Sequence, residues 1–509
     1  MNPLQEKAEM IFGPPGTGKT RELEGVVSDL LQQGVNPNHI AFLSFTQKGA
    51  YEGRGRIMDR HKLKKEQLPY FRTFHSLAFH YQNLEPRQVM GWGNYLDICK
   101  MLGLTITSQR FVMEEGTFNT VHTKGDRLFF MDNYARTTKK SLEFVHQKFI
   151  NDDIDFRELK LLSETLRRYK EVQNKIDFTD MIVNFCYLDS TPPLKALIID
   201  EAQDLSPIQW DMAQILARKT PKVWIAGDDD QAIYNWAGAD VKYFLGIGGL
   251  SSKVLEQSYR LPRRVHQLAE SVIKRAHIRK PKFYRSTPDE GSLQYHMDCE
   301  TIDMSKGTWL LLARNIFLLP EYVNYCTRMG YLFESRYGSP ANAEQMEAIR
   351  FWEKLRAGDA VTADKVKIVY KYMATSSRIK WGSKKLLDAI PDTTPLTIDE
   401  LQKNFGLGYT DVWFKALNHI PPGDVNYYRA ALSKGERMDL EPRIHINTIH
   451  SVKGGEADNV VLMSDMSKRT LVESHENPDD EIRVWYVAIT RAKKSLHVIH
   501  PRTDTYFDL

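Results

Sequence analysis

Several things are scarce or missing in this 509-residue sequence, and each gap removes a class of function. There are four cysteines, Cys99, Cys186, Cys299 and Cys326. No two of them stand at the short spacing that would cradle zinc or an iron–sulfur cluster, so they read as reduced thiols. No apolar run approaches the ~20 residues that a membrane helix requires. The opening segment, MNPLQEKAEMIFG, lacks the basic start and apolar stretch of a secretory leader, which predicts a cytoplasmic protein. Charge of one sign is also lacking, because 69 Lys/Arg against 65 Asp/Glu leave a formal net charge of +4. Any affinity for a polyanion must therefore come from local clustering. Internal repeats and low-complexity tracts are absent.

What is present is the material of a multidomain α/β protein. Hydrophobic residues make up 42% and charged residues 26%, and the chain is too long for one ordinary core. Short β-branched runs recur at Glu9–Phe12, Ile40–Phe45, Ala196–Ile199 and Lys222–Ala226, each ending in a polar or glycine-bearing loop. A second set follows at Trp309–Ala313, Ile444–Ile449, Asn459–Met463 and Ser495–Ile499. Runs of this kind between helical patterns predict buried parallel strands in two sheets. Each set is interrupted by a helix-rich stretch, one from about Pro86 to Lys175 and one from about Tyr337 to Leu440.

Gly13–Thr20 reads GPPGTGKT after an apolar strand and before a helical stretch, the context a phosphate-binding loop requires. Gly13, Gly16 and Gly18 would let backbone N–H groups face phosphates at a helix start, and Pro14, Pro15 and Thr17 complete the ATP-binding loop. Lys19 would reach the β and γ phosphates, and Thr20 would hold Mg2+. Ala196–Asp204 reads ALIIDEAQD, a buried run ending in two adjacent acids at the mouth of a parallel sheet. There Asp200 would bind Mg2+ through water, and Glu201 would orient and deprotonate an attacking water. The pair of motifs predicts ATP hydrolysis.

Further segments resemble the UvrD/Rep/PcrA-like helicases of superfamily 1. DEAQD is similar to that family's second motif and AGDDDQAIYNWAGA (Ala226–Ala239) to its third. LEQSYR (Leu255–Arg260), INTIHSVKGGE (Ile446–Glu456) and EIRVWYVAITRA (Glu481–Ala492) resemble the fourth, fifth and sixth. SFTQKGA (Ser44–Ala50) and TFHSLA (Thr73–Ala78) resemble its DNA-contacting segments, and IDFTDMI (Ile176–Ile182) a further signature. The resemblance runs from Gly13 to Ala492 and implies two RecA-like parallel-sheet motor domains, each with a helical insertion. The expected division is 1–87 and 176–256 for the first motor domain, with 88–175 inserted. The second would be 257–336 and 441–509, with a reduced insertion at 337–440.

By the same resemblance, Arg260 and Arg491 are arginine fingers reaching the γ-phosphate from the second domain, and Gln231 is the γ-phosphate sensor. Glu456 contacts the ribose side of the nucleotide. Tyr234 and Trp236 stack on bases with Phe45 beside them, and Thr46, Thr73 and His75 touch the strand's backbone. The implied cofactors are ATP and Mg2+, and the implied partners are single-stranded and tailed duplex DNA. For Trp236 a core role is the competing reading. Ile273–Arg285 (IKRAHIRKPKFYR) carries six Lys/Arg and no acid, and reads equally as part of a DNA path or as a solvated helix end.

Three departures from the family stand out. Ala237 replaces an arginine in the third motif, and Gly455 a large apolar residue in the fifth. Gln5 lies only eight residues before Gly13, which puts its reach to an adenine in doubt. The function expected is a 3′→5′ ATP-dependent DNA helicase. The alternatives are a translocase that strips proteins with little unwinding, or a nucleotide-switched binding protein. Because the sequence ends soon after the sixth motif, an appended nuclease is not expected.

Overall fold

A computed structural model of the protein describes residues 2–107, 123–149, 154–188, 190–335, 338, 341–437 and 441–509. Contacts divide the chain into two units, Met1–Glu290 with Glu473–Thr490, and Gly291–Val472 with Arg491–Leu509. The first contact boundary thus falls after Glu290, and the segment Glu473–Thr490 groups with the first unit.

The first unit is built on six strands: β1 (Ala8–Phe12), β2 (Ile40–Ser44), β3 (Phe71–Thr73), β4 (Ala196–Asp200), β5 (Lys222–Gly227) and β6 (Ser251–Val254). Their order is β3-β2-β4-β5-β1-β6, and every pairing is parallel. Residues of β2 and β4 are buried along their whole length, as strands covered on both faces must be. Ile11, Phe42, Ile198 and Ala226 pack with Leu23 and Val27 from the helix Lys19–Gln32. A separate helical cluster, from Trp92–Leu102, Lys124–Thr138, Leu142–Lys148 and Phe156–Gln173, buries Ile98, Phe129, Leu159 and Leu162.

The second unit contains β7 (Ser292–His296), β8 (Trp309–Ala313), β9 (Phe333–Ser335), β10 (Val361–Thr362), β11 (Pro395–Leu396), β12 (Ile444–Thr448), β13 (Ala457–Met463) and β14 (Ala492–Ile499). Six of these form a second all-parallel sheet in the order β7-β14-β13-β8-β12-β9. The remaining two pair antiparallel. They belong to a helix-rich stretch that owns a core of Trp352, Val366, Tyr370, Leu401 and Tyr428. A helical core therefore lies within each of the two stretches expected to be helix-rich. The ends Tyr337 and Leu440 expected for the second lie outside the described residues. Among the described residues, no helix is long and apolar enough to cross a membrane.

The fold class is thus α/β with two six-stranded parallel sheets. All eight strands expected from sequence are interior strands, and the four edges, β3, β6, β7 and β9, had no matching expectation.

Candidate active site

The phosphate loop leaves β1 at Phe12 and is tied to the neighbouring strand end, since the Gly13 N–H donates to the Gly227 carbonyl at 3.0 Å. Thr17 closes the turn by donating its hydroxyl to the Pro14 carbonyl at 2.8 Å. Gly16 has φ +72°, and a Cβ there would fall 2.3 Å from Cβ of Arg260. Only glycine meets both the left-handed backbone and the close approach. Two hydrogen bonds hold the Arg260 turn in place: Tyr259 N–H to Gly16 O at 2.8 Å and Ser258 Oγ to Pro15 O at 2.8 Å. Ser258 is fully buried, and its oxygen also accepts from the Leu261 N–H at 3.2 Å. Arg260 itself reaches the Thr490 carbonyl at 3.4 Å.

Lys19, at the first turn of the helix that follows the loop, points back to the end of β4. Its Nζ lies 2.7 Å from Glu201 Oε1 and 3.8 Å from Asp200 Oδ1. Burial works against the ammonium, but the two carboxylates outweigh it and hold the Lys19 pKa above its ordinary value. Asp200 is pushed up to about 6, by burial first, with Lys19 opposing and the charge of Glu201 adding. Thr20 donates its hydroxyl to Asp200 Oδ2 at 3.3 Å. Two hard oxygen donors side by side suit Mg2+, which takes few protein ligands and completes its shell with water and substrate phosphate. Among the described residues no cluster of three or more His, Cys, Asp or Glu could hold a metal unaided.

Glu201 adopts φ +53°, a left-handed conformation that costs a non-glycine residue free energy and marks functional turns. Gln203 donates to Glu201 Oε2 at 2.6 Å, while its own carbonyl oxygen accepts from the Asp228 N–H at 3.0 Å. A Cβ on Gly227 would collide with that Gln203 oxygen at 2.6 Å. Gln231 then donates to Asp228 Oδ2 at 2.7 Å. One chain of hydrogen bonds therefore links the acid at the end of β4 to the segment after β5.

Asp228, Asp229 and Asp230 are all buried. Their charge is met by two residues that sequence reasoning had left between a DNA path and a solvated helix end. Lys282 Nζ lies 3.1, 2.5 and 2.9 Å from the three carboxylates in turn, on a side chain that is 1% exposed. Arg279 pairs bidentately with Asp230 at 2.8 and 2.7 Å. Neither earlier reading describes these two. The missed signal was the DDD run itself, because three adjacent buried carboxylates require cations from elsewhere.

The candidate strand contacts fall into three places. Phe45 and Tyr234 stack with ring centroids 5.6 Å apart at 30°, and both are buried. Thr73 and His75 line a cavity of about 300 Å³ with Arg72, Tyr51 and Phe178, and His75 sits edge-on to Phe178. The hydroxyls of Thr46 and Thr73 cap helices, accepting from the N–H groups of Gly49 and Ser76. Trp236 is half-buried and packs against the first helical cluster. Its neighbour Asn235 donates to Asp480 at 2.6 Å, a link made one residue after Tyr234 although Ala237 has no hydrogen-bonding side chain to contribute.

Arg491 and Glu456 belong to the second unit. Arg491 is buried and donates to the Gly455 carbonyl at 3.2 Å, and Glu456 pairs with Lys493. Gln5 is exposed in the short helix Pro3–Lys7, which leads into the N-terminal end of β1. The phosphate loop leaves the opposite end of that strand, ~16 Å away for five extended residues.

With this geometry in view, the comparisons are specific. Residues 2–248 match the UvrD/REP helicase N-terminal domain, and residues 424–503 match the UvrD-like helicase C-terminal domain. The chain belongs to the UvrD/REP helicase family. It is 26% identical over 311 residues to the ATP-dependent DNA helicase PcrA of Staphylococcus epidermidis, covering 56% of this chain and 41% of that protein. PcrA of Bacillus subtilis is 25% identical over 335 residues, 57% of this chain and 42% of its own. The ATP-dependent DNA helicase Rep of Buchnera aphidicola is 25% identical over 304 residues, 56% and 43% respectively. The chain thus spans about two fifths of the length of each of these three relatives. Among solved structures, arterivirus nonstructural protein 10 (helicase) superposes over 98% of this chain and 60% of its own at TM-score 0.33 and 12% identity, a likeness too slight to define the fold.

Proposed function

We propose that this chain is an ATP-dependent DNA helicase that moves 3′→5′ on single-stranded DNA and separates duplex ahead of it. The observation that carries the reading is the hydrogen-bonded chain Lys19–Glu201–Gln203–Asp228–Gln231. Gln231 stands three residues before Tyr234, whose ring stacks on Phe45, so one short segment joins a phosphate site to an aromatic pair.

Each residue has a task. Lys19 neutralises phosphate charge, and in doing so it must leave Glu201. Release from Lys19 frees the Glu201 carboxylate to take a proton from the attacking water. Thr20 and Asp200 would hold Mg2+, which supplies charge neutralisation on the phosphates when bound. Gln231 feels the loss of the γ-phosphate and passes it to Asp228 and to the Tyr234 turn. Arg260, pinned against Gly16, and Arg491 supply the positive charge that stabilises the transferring phosphoryl group. Glu456 serves the ribose side. Tyr259, whose backbone is bonded to Gly16 and whose ring is exposed, offers a nucleobase a face beside the phosphate loop.

Phe45, Tyr234 and Trp236 hold bases by stacking, which tolerates any sequence, and Thr46, Thr73 and His75 meet the backbone. The test is ATPase activity with and without single strands, together with unwinding of 3′-tailed and 5′-tailed duplexes. Strand-stimulated turnover with unwinding from the 3′ tail is expected. Stimulated turnover without unwinding would make the protein a translocase, and no turnover at all would make it a binding protein.

A further inference from the structure

The second unit carries a feature that hydrolysis and the strand residues above do not use. Of the nine tryptophans in the chain, Trp381 alone stands exposed, at 88%. An indole facing water forgoes the burial that would otherwise stabilise it, which fits a residue kept for contact better than one left over from packing.

Its surroundings are of one charge. Residues 373–387 contain Arg378, Lys380, Lys384 and Lys385 and no Asp or Glu. Lys380, Lys384 and Lys385 are exposed like the indole, and among the described residues none of the three enters an ion pair.

The loop is also stiff. The Lys380 N–H donates to Gly406 O at 2.8 Å, and the Gly408 N–H donates to Arg378 O at 2.9 Å. Arg378 lies 3.9 Å over the ring of Tyr409 and donates to Lys415 O at 2.9 Å. Ser383 Oγ donates to Lys380 O at 2.7 Å, and a Cβ on Gly406 would fall 2.2 Å from that hydroxyl. A flat apolar face is thus presented by a backbone tied down on both sides of it, which reduces the ordering that binding would cost.

We propose that Trp381, with Lys380, Lys384 and Lys385, forms a second contact for single-stranded nucleic acid. An unpaired base stacks on the indole, and the ammonium groups meet the flanking phosphates. Bases inside a duplex are already stacked and paired, so a protruding indole finds its partner in unpaired strand. None of these residues is among those assigned to the nucleotide, and the proposal does not depend on the function proposed above.

The experiment uses the full chain and a single strand carrying 5-iodouracil, irradiated and mapped by mass spectrometry, with affinity measured in parallel. A cross-linked peptide containing Trp381 is expected. Trp381→Ala should abolish that adduct and weaken strand binding roughly tenfold, while Trp381→Phe keeps most of the affinity. Basal ATPase and melting temperature should stay unchanged in both. Converting the three lysines to glutamine should lower the salt slope of binding by about two. Adducts that map only elsewhere would overturn the proposal. So would wild-type affinity in Trp381→Ala, or an equal loss on blunt duplex. An adduct at Trp381 in a protein whose ATPase ignores single strands would keep this contact and remove the helicase reading; the reverse result would do the opposite.

Discussion

Lys282 lies 2.5 Å from Asp229, with both side chains shut off from water, and this pair anchors the third motif to a stretch of sequence more than fifty residues downstream. Burial opposes the ammonium, and three aspartates hold the Lys282 pKa above its ordinary value. Removing one partner of a buried pair leaves charge without compensation, at a cost of ~3–5 kcal/mol. Lys282→Met should therefore lower unfolding free energy by about that amount in a denaturant titration. Lys282→Arg should recover part of it. A Met variant as stable as the parent would mean that the aspartates do not depend on this lysine.

Loss of the phosphate-loop lysine and loss of the acid should separate binding from chemistry. Lys19→Ala is expected to abolish nucleotide binding by fluorescence titration. Glu201→Gln should bind ATP yet turn it over ~10²-fold more slowly or worse. Near-normal turnover in Glu201→Gln would assign the base elsewhere.

Arg260→Ala and Arg491→Ala should each cripple hydrolysis while leaving single-strand affinity without nucleotide as it was. The measurement is ATPase beside strand binding on one preparation. A variant that lost strand binding but kept stimulated turnover would exclude that arginine from the finger role.

Trp236 packs on the helical cluster with part of its ring still accessible, so strand contact and core support make different predictions. As a stacking residue, Trp236→Ala weakens single-strand binding roughly tenfold and leaves basal ATPase intact. As core, the same change lowers the melting temperature and spares affinity. Both quantities measured on one sample decide it, and a folded variant that binds normally removes Trp236 from the strand site.

Burial pushes the His75 imidazole down to about 4, with Asp177 opposing. Its folded pKa lies below the ordinary value near 6.5, so the stability tied to its neutral form is present above about 6.5. That contribution is lost as pH falls towards about 4. Between pH 6 and 8 the ring stays neutral, and strand affinity should show no step from it. His75→Asn should bind strands with the same pH profile over that window. A step near 6.5 that vanished in His75→Asn would show a charged ring at the site.

How much of this was legible in the sequence follows from burial. Most interior strands announce themselves as apolar runs because both faces are covered, as in Ile40–Ser44, Ala196–Asp200 and Trp309–Ala313. The four edges do not: Ser251–Val254 is almost wholly exposed and Phe71–Thr73 has only three residues, so neither carries a pattern. The phosphate loop and the paired acids could be placed because strand ends and turn glycines mark them locally, whereas Gln231 was singled out only by the family resemblance.

Other features needed the folded chain. Sequence alone determined two parallel sheets, a nucleotide site and its family motifs. Only tertiary structure decided that Lys282 and Arg279 neutralise Asp228, Asp229 and Asp230, that Ser258 latches Arg260 to the phosphate loop, and that Gln5 sits at the far end of β1. A charge in the sequence carries no record of what it faces. Whether a lysine is solvated, bound to phosphate or buried against aspartates depends on which distant segment the fold brings beside it.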